Sequence, residues 1–267
     1  MWSVLTHAMR RRRAGVAWWI LSVVGVCALL AVAYPTVRDN HELDKTFANL
    51  PPGVESLLGL SASNLLSSPI GYLNSEFYAN IWPVMMLVFA TGFAAWTIAG
   101  DESAGTLELL LGNPVSRVRV ALARYAALVV LVAVLAATCV VTVATLGPST
   151  GLNRGLPIDH VAAVTVASVL CALAFASVAF TVGAATGSRP AALATASGLA
   201  VAGYVLQGLT AQVSALRSTQ WVNPWHWLLA ADPLSHGLTV QAWLPAAATC
   251  AILVLVAMPA LARRDLR

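Results

Sequence analysis

Residues 121–146 read ALARYAALVVLVAVLAATCVVTVATL, with a single charge, Arg124, near the start of the run. A bilayer core about 30 Å thick is crossed by roughly 20 apolar residues in a helix. This stretch is longer than that, so its natural solvent is lipid. Working outward from it, runs of the same kind occupy 15–34, 80–99, 161–187, 191–210 and 242–261. No period-two alternation competes with them. The chain is 59% hydrophobic and 10% charged, with mean hydropathy +0.78, whereas soluble domains carry roughly 25% charged residues. The fold class that follows is an all-α integral membrane protein of six transmembrane helices. It forms one transmembrane domain over 1–267, with loops at 35–79 and 100–120 and a polar-aromatic segment at 211–241.

Orientation follows from the basic residues, which concentrate on the cytoplasmic side. With the N-terminus inside, that side holds Arg10 to Arg13, Arg117, Arg119, Arg124, Arg189, Arg263, Arg264 and Arg267, against Arg38, Lys45, Arg154 and Arg217 outside. Both termini are expected in the cytoplasm. Trp18, Trp19, Trp96 and Tyr125 would mark the inner boundary. Tyr34, Trp82, Trp221, Trp225, Trp227 and Trp243 would mark the outer one. The first run is longer than the roughly 7–15 apolar residues of a signal peptide, so it reads as a retained anchor, although Ala31-Val32-Ala33 resembles a cleavage site. Met1 to Arg13 reads equally as a short interfacial helix or as a plain topology signal. Fourteen of fifteen basic residues are Arg; with the abundance of Ala, this suggests a high-GC bacterium and its cytoplasmic membrane.

Several chemistries are missing. No GxxxxGK[ST] phosphate loop occurs, so the chain has no such cradle for a nucleotide. His41-Glu42 begins like HExxH, but Lys45 stands where the second His is needed. Ser197 lies inside a span with no His in any span to act as its base. The four cysteines, Cys27, Cys139, Cys171 and Cys250, sit inside apolar runs and read as small buried hydrophobes. No Asp, Glu, Lys or His occupies the middle of a run, whereas ion-coupled carriers usually keep such residues there. No catalytic, cofactor-binding or metal-binding residue is expected in this chain, and no nucleic-acid partner.

The most informative loop is Gly100-Asp101-Glu102-Ser103-Ala104-Gly105-Thr106-Leu107-Glu108-Leu109-Leu110-Leu111-Gly112-Asn113-Pro114-Val115-Ser116-Arg117. It reads as a short cytoplasmic helix. Acids stand at its start, where the helix dipole favours them. Leu107, Leu110 and Leu111 share one face, and Gly112-Asn113-Pro114 ends it. So short a helix is marginal alone in water. Its leucines need a surface, which is its own bundle, lipid or another protein.

Glu102, Gly105-Thr106-Leu107-Glu108-Leu109-Leu110-Leu111 and Pro114-Val115-Ser116-Arg117 resemble the signature of permease subunits of ABC type-2 exporters. Leu50-Pro51-Pro52, Ser68-Pro69-Ile70-Gly71-Tyr72-Leu73 and Glu76-Phe77 resemble the outer loop of a bacterial six-span subgroup. Asp232-Pro233-Leu234 with Gly237-Leu238, and Arg263-Arg264-Asp265-Leu266, resemble its last outer loop and its ending. Gly112-Asn113 departs from the pattern, which has Ala and an apolar residue there. The resemblance implies a coupling helix seated in a groove on a separate ABC-type ATPase. Glu102, Gly105, Thr106, Leu107, Glu108, Leu110, Leu111, Pro114 and Arg117 inherit that role. It also implies two ATPase copies that bind the ATP and Mg, and a second permease subunit completing a homodimer or heterodimer.

Ala194, Gly198 and Ala202 give small-xxx-small spacing, which serves either packing within one subunit or a subunit interface. The segment 211–241 reads as outer re-entrant helices or as an interfacial belt. The expectation is an export permease, with a span interior suited to amphipathic or hydrophobic cargo such as antibiotics or lipids. The rival readings are a secondary transporter not driven by ATP and a membrane assembly protein that moves nothing.

Overall fold

The computed structural model describes residues 13–39, 67–103, 117–210 and 213–262. All the regular structure among these residues is helical, and six of the helical stretches are long and apolar enough to cross a membrane. Helix α1 is Arg13–Arg38. Helix α2, Pro69–Tyr72, runs into a π-helix, Leu73–Ile81, and then into α3, Trp82–Ser103. Helix α4 is Arg117–Thr150, α5 is Ile158–Thr186 and α6 is Arg189–Thr210. A 3₁₀ helix, Ser214–Val222, and the short helices α7, Pro224–Leu229, and α8, Pro233–His236, precede α9, Val240–Ala262.

Helix α5 sits at the centre. Its apolar window is 78% buried, against 17% for α1 and for α9. Apolar side chains gain little by leaving lipid, so packing depends on close backbone approach and on interhelical hydrogen bonds. The buried face of α5 accordingly carries Ala163, Ala167, Ala172, Ala176, Ala179 and Ala184. Tyr78 on the π-helix meets the Thr165 hydroxyl of α5 at 3.2 Å. The Tyr125 and Ser177 hydroxyls join α4 to α5 at 2.7 Å, and Thr181 donates to the Leu253 carbonyl of α9 at 2.9 Å.

The Tyr125–Ser177 contact pairs an early residue of α4 with a late one of α5, so these successive spans run antiparallel, whereas the other two contacts join alternate spans that run parallel. The end where α3 stops and α4 starts is termed proximal here; the end where α2 starts is distal. At the distal end Tyr34 donates to the Ser67 carbonyl and Tyr72 to the Leu30 carbonyl, each at 3.2 Å.

Two sequence expectations change. The loop expected over 35–79 becomes helix at Pro69, eleven residues ahead of the run at 80–99. Ser68 caps this start by accepting from the Gly71 N–H at 3.0 Å, with Pro69 in the first turn. Trp82, expected at the outer boundary, is fully buried and stacks beside Phe77 at 5.7 Å. The helical start above it moves Trp82 inward from the membrane surface. The cysteines match the reading as buried hydrophobes: Cys27, Cys139 and Cys171 are buried and Cys250 is partly so.

Candidate functional site

The loop singled out by sequence hangs between α3 and α4. Glu102 lies in the last turn of α3 and Arg117 opens α4. Gly105, Thr106, Leu107, Glu108, Leu110, Leu111 and Pro114 lie outside the described residues. What the structure does define is the base on which the loop stands. Arg124, 6% exposed, donates from its guanidinium to the Thr97 backbone carbonyl. Thr97 stands six residues before the end of α3, so its carbonyl takes this bond on its second lone pair and ties α4 to α3. The Thr97 hydroxyl donates to the Ala94 carbonyl at 2.6 Å. Next to Arg124, Tyr125 stacks edge-on against Phe180 of α5 at 5.2 Å. The helices on either side of the loop are therefore joined to each other and, through Tyr125, to the central helix.

The small-residue stripe is exposed. Ala194, Gly198 and Ala202 are all exposed, Ala202 on the wall of a cleft beside α5, and nothing lies within 4 Å of where a Gly198 Cβ would stand. The stripe that packs inside the subunit is the neighbouring one, Ala192, Ala196 and Ala200. Both have the same spacing, and the sequence alone does not separate them.

The described part of segment 211–241 ahead of α9, residues 213–239, folds back beside α6. The Trp225 indole donates to the Ala200 carbonyl at 2.9 Å, and the Asn223 amide donates to the Gly203 carbonyl at 2.8 Å. Ala200 stands ten residues before the end of α6, so the return reaches roughly 15 Å down that helix. Trp225 and Trp227 are buried and only Trp221 of the three is exposed. Between this return and α5, α6 and α9 lies an apolar cleft of about 410 Å³, lined by Phe175, Leu199, Gly203, Leu206, Trp221 and Trp227.

One constellation escaped sequence reading. The Tyr204 hydroxyl of α6 donates to the Asn80 amide oxygen of the π-helix at 2.8 Å, and the Asn80 amide nitrogen donates to the Ser75 carbonyl at 3.0 Å. Gln207 lies one turn beyond Tyr204; it is 7% exposed and its amide oxygen has no partner. Glu76, on the preceding turn of the π-helix, is exposed. The signal that would have found the group is Ser68-Pro69, a helix-start pair, which puts Glu76 and Asn80 inside a span. Among the described residues no group of three or more His, Cys, Asp or Glu could hold a metal.

The chain matches the family described as ABC-2 family transporter protein over residues 2–263. It belongs to the ABC-2 transporter family. No curated protein matches it. ABC-2 membership and the six spans make it a multi-pass membrane permease component of an ABC transporter, which implies association with an ABC ATPase.

Proposed function

We propose that this ABC-2 permease is the membrane-spanning half of an ATP-driven exporter in a bacterial cytoplasmic membrane, with both termini inside and ATP hydrolysis left to a partner chain. The observation that carries this is the braced base of the loop, Arg124 on Thr97, beneath a segment whose leucines need a surface. Leu107, Leu110 and Leu111 fill a groove on the ATPase and Glu108 meets its polar rim. Glu102, Gly105, Thr106, Pro114 and Arg117 set the ends and turns of that helix. Closure of two ATPase chains around ATP and Mg pushes the segment, and the brace passes the push to α3, α4 and α5. The exposed face Ala194, Gly198 and Ala202 meets a second permease subunit, and the two frame the path between them. The cargo is amphipathic or hydrophobic, in the manner of antibiotics or lipids.

The test is co-purification with an ABC ATPase, comparing the native chain with Leu107→Asp and Leu110→Asp. The native chain retains the ATPase and both variants lose it while keeping their fold by thermal unfolding. A native chain that holds no ATPase sinks the reading. Transport that persists without an ATPase but collapses with the proton gradient would mark a secondary carrier. Variants that keep full binding and phenotype would mark an assembly protein.

A further inference from the structure

The proximal ends of three spans enclose a small cleft of about 150 Å³. Gly15 and Trp19 of α1, Phe89, Gly92 and Phe93 of α3, and Arg189 of α6 all line it. Gly15 is the second residue of the span Ala14–Arg38, Gly92 stands five residues before the end of Pro69–Thr97, and Arg189 opens Arg189–Thr210. The cleft therefore lies at the level where hydrocarbon gives way to lipid headgroups.

Arg189 is the only charged residue of this lining. It is exposed, and among the described residues it has neither an ion pair nor a side-chain hydrogen bond. A guanidinium carries five donors, no acceptor and a permanent charge. Its planar fork matches the oxygens of a phosphate. Arg10 to Arg13 precede Gly15 in the chain, so a cationic occupant would meet like charge, as would the start of this chain itself.

The size of the cleft narrows the choice further. A drug-sized ligand fills roughly 300–1,000 Å³, and this space is half the lower figure. Its occupant keeps most of its bulk elsewhere, and at this level the neighbouring medium is the bilayer. The walls are aromatic: Trp19 packs edge-on against Phe89 at 5.4 Å, and Phe89 stacks on Phe93 at 6.2 Å. Gly92 keeps the space open. Glycine weakens a helix interior relative to alanine, yet a Cβ at Gly92 would meet nothing within 4 Å, so no contact inside the chain demands it. Basic pockets between helices at the inner membrane face are common seats for anionic lipid heads.

We propose that this cleft seats the headgroup of an anionic glycerophospholipid from the proximal leaflet. The phosphate oxygens accept from the Arg189 guanidinium, and the glycerol and first chain carbons lie on Trp19, Phe89 and Phe93. The lipid thereby joins α1, whose apolar window is only 17% buried, to α3 and α6. The site needs the membrane fold alone and stands or falls independently of the exporter reading.

The experiment uses the full chain, delipidated in detergent, and native mass spectrometry with dioleoyl phosphatidylglycerol and dioleoyl phosphatidylcholine. The native chain binds its first phosphatidylglycerol about fivefold more tightly than phosphatidylcholine, the worth of one arginine at an anionic membrane surface. Arg189→Gln removes that preference, and Arg189→Lys keeps part of it. Gly92→Leu, which fills the cleft and leaves the arginine in place, weakens phosphatidylglycerol severalfold while the lipid-free unfolding temperature stays unchanged. Arg119→Gln, at an exposed proximal arginine outside the cleft, leaves the preference intact. Equal binding of the two lipids by the native chain, or a preference that survives Arg189→Gln or Gly92→Leu, overturns the site. So does a preference that falls as far in Arg119→Gln. Displacement of phosphatidylglycerol by soluble glycerophosphoglycerol at matched concentration would assign the cleft to a free phosphate and overturn the lipid.

Discussion

The Arg124 guanidinium donates to the Thr97 carbonyl across 27 residues of sequence, joining the helix that enters the cytoplasmic-loop candidate to the helix that leaves it. A buried charge without its acceptor is far more costly than an exposed one. The pair therefore joins the helices that flank the loop and stabilises the proximal end.

Arg124→Ala is expected to destabilise the chain by about 2 kcal/mol, the scale of a hydrogen bond to a charged group. Arg124→Lys recovers part of this, because its ammonium reaches less far and lacks the planar fork. Thermal unfolding in detergent measures both. In complex with an ATPase, Arg124→Ala also lowers the coupling of ATP hydrolysis to transport.

The bond from Tyr204 to Asn80 is expected to be worth about 1 kcal/mol, within the range of interhelical hydrogen bonds in membranes. A double-mutant cycle with Tyr204→Phe and Asn80→Ala isolates it. The coupling energy is read from unfolding midpoints. A value near zero would mean that the π-helix and α6 are held by packing alone.

Gly203 and Gly198 are one turn and a half apart on α6 yet have opposite surroundings. A Cβ at Gly203 would stand 2.9 Å from the Asn223 amide oxygen and 3.2 Å from Trp225. At Gly198 it would meet nothing. Gly203→Leu is expected to push the returning segment off α6 and lower the unfolding temperature. Gly198→Leu is expected to leave that temperature unchanged while weakening pairing with a second subunit, read by cross-linking in membranes.

Burial lowers the His226 imidazole from its ordinary value of 6.5, with the Trp221 ring edge-on at 5.6 Å. The folded chain thus holds His226 neutral at pH values where the unfolded chain has begun to take up the proton. The stability from the neutral form is fully present above about pH 6.5 and is lost as pH falls through the lowered folded value. As pH falls from about 7.5 to about 5.5, the unfolding temperature of the native chain is expected to fall on this account. His226→Phe, which keeps a ring but cannot titrate, should flatten that component.

The six spans were legible because long apolar runs need no tertiary context. The start of the second span was not. Asn74, Ser75, Glu76 and Asn80 dilute its hydropathy, to 1.4 for that span against 2.8 for α4, although Ser68-Pro69 marks the helix start. The facing of α6 was also unreadable. Ala192, Ala196 and Ala200 have the same spacing as Ala194, Gly198 and Ala202, and only the packed structure shows which triplet is inside. Tyr204 and Asn80 are 124 residues apart in sequence, and only the packing of α6 against the second span brings them together.

The most direct measurement is photocross-linking from Leu110, replaced by benzoylphenylalanine in the full chain co-expressed with an ABC ATPase. The account predicts a cross-linked product containing the ATPase, lost when the same probe is placed at the exposed Leu29 of α1. Products from Leu110 confined to lipid or to its own bundle would contradict it.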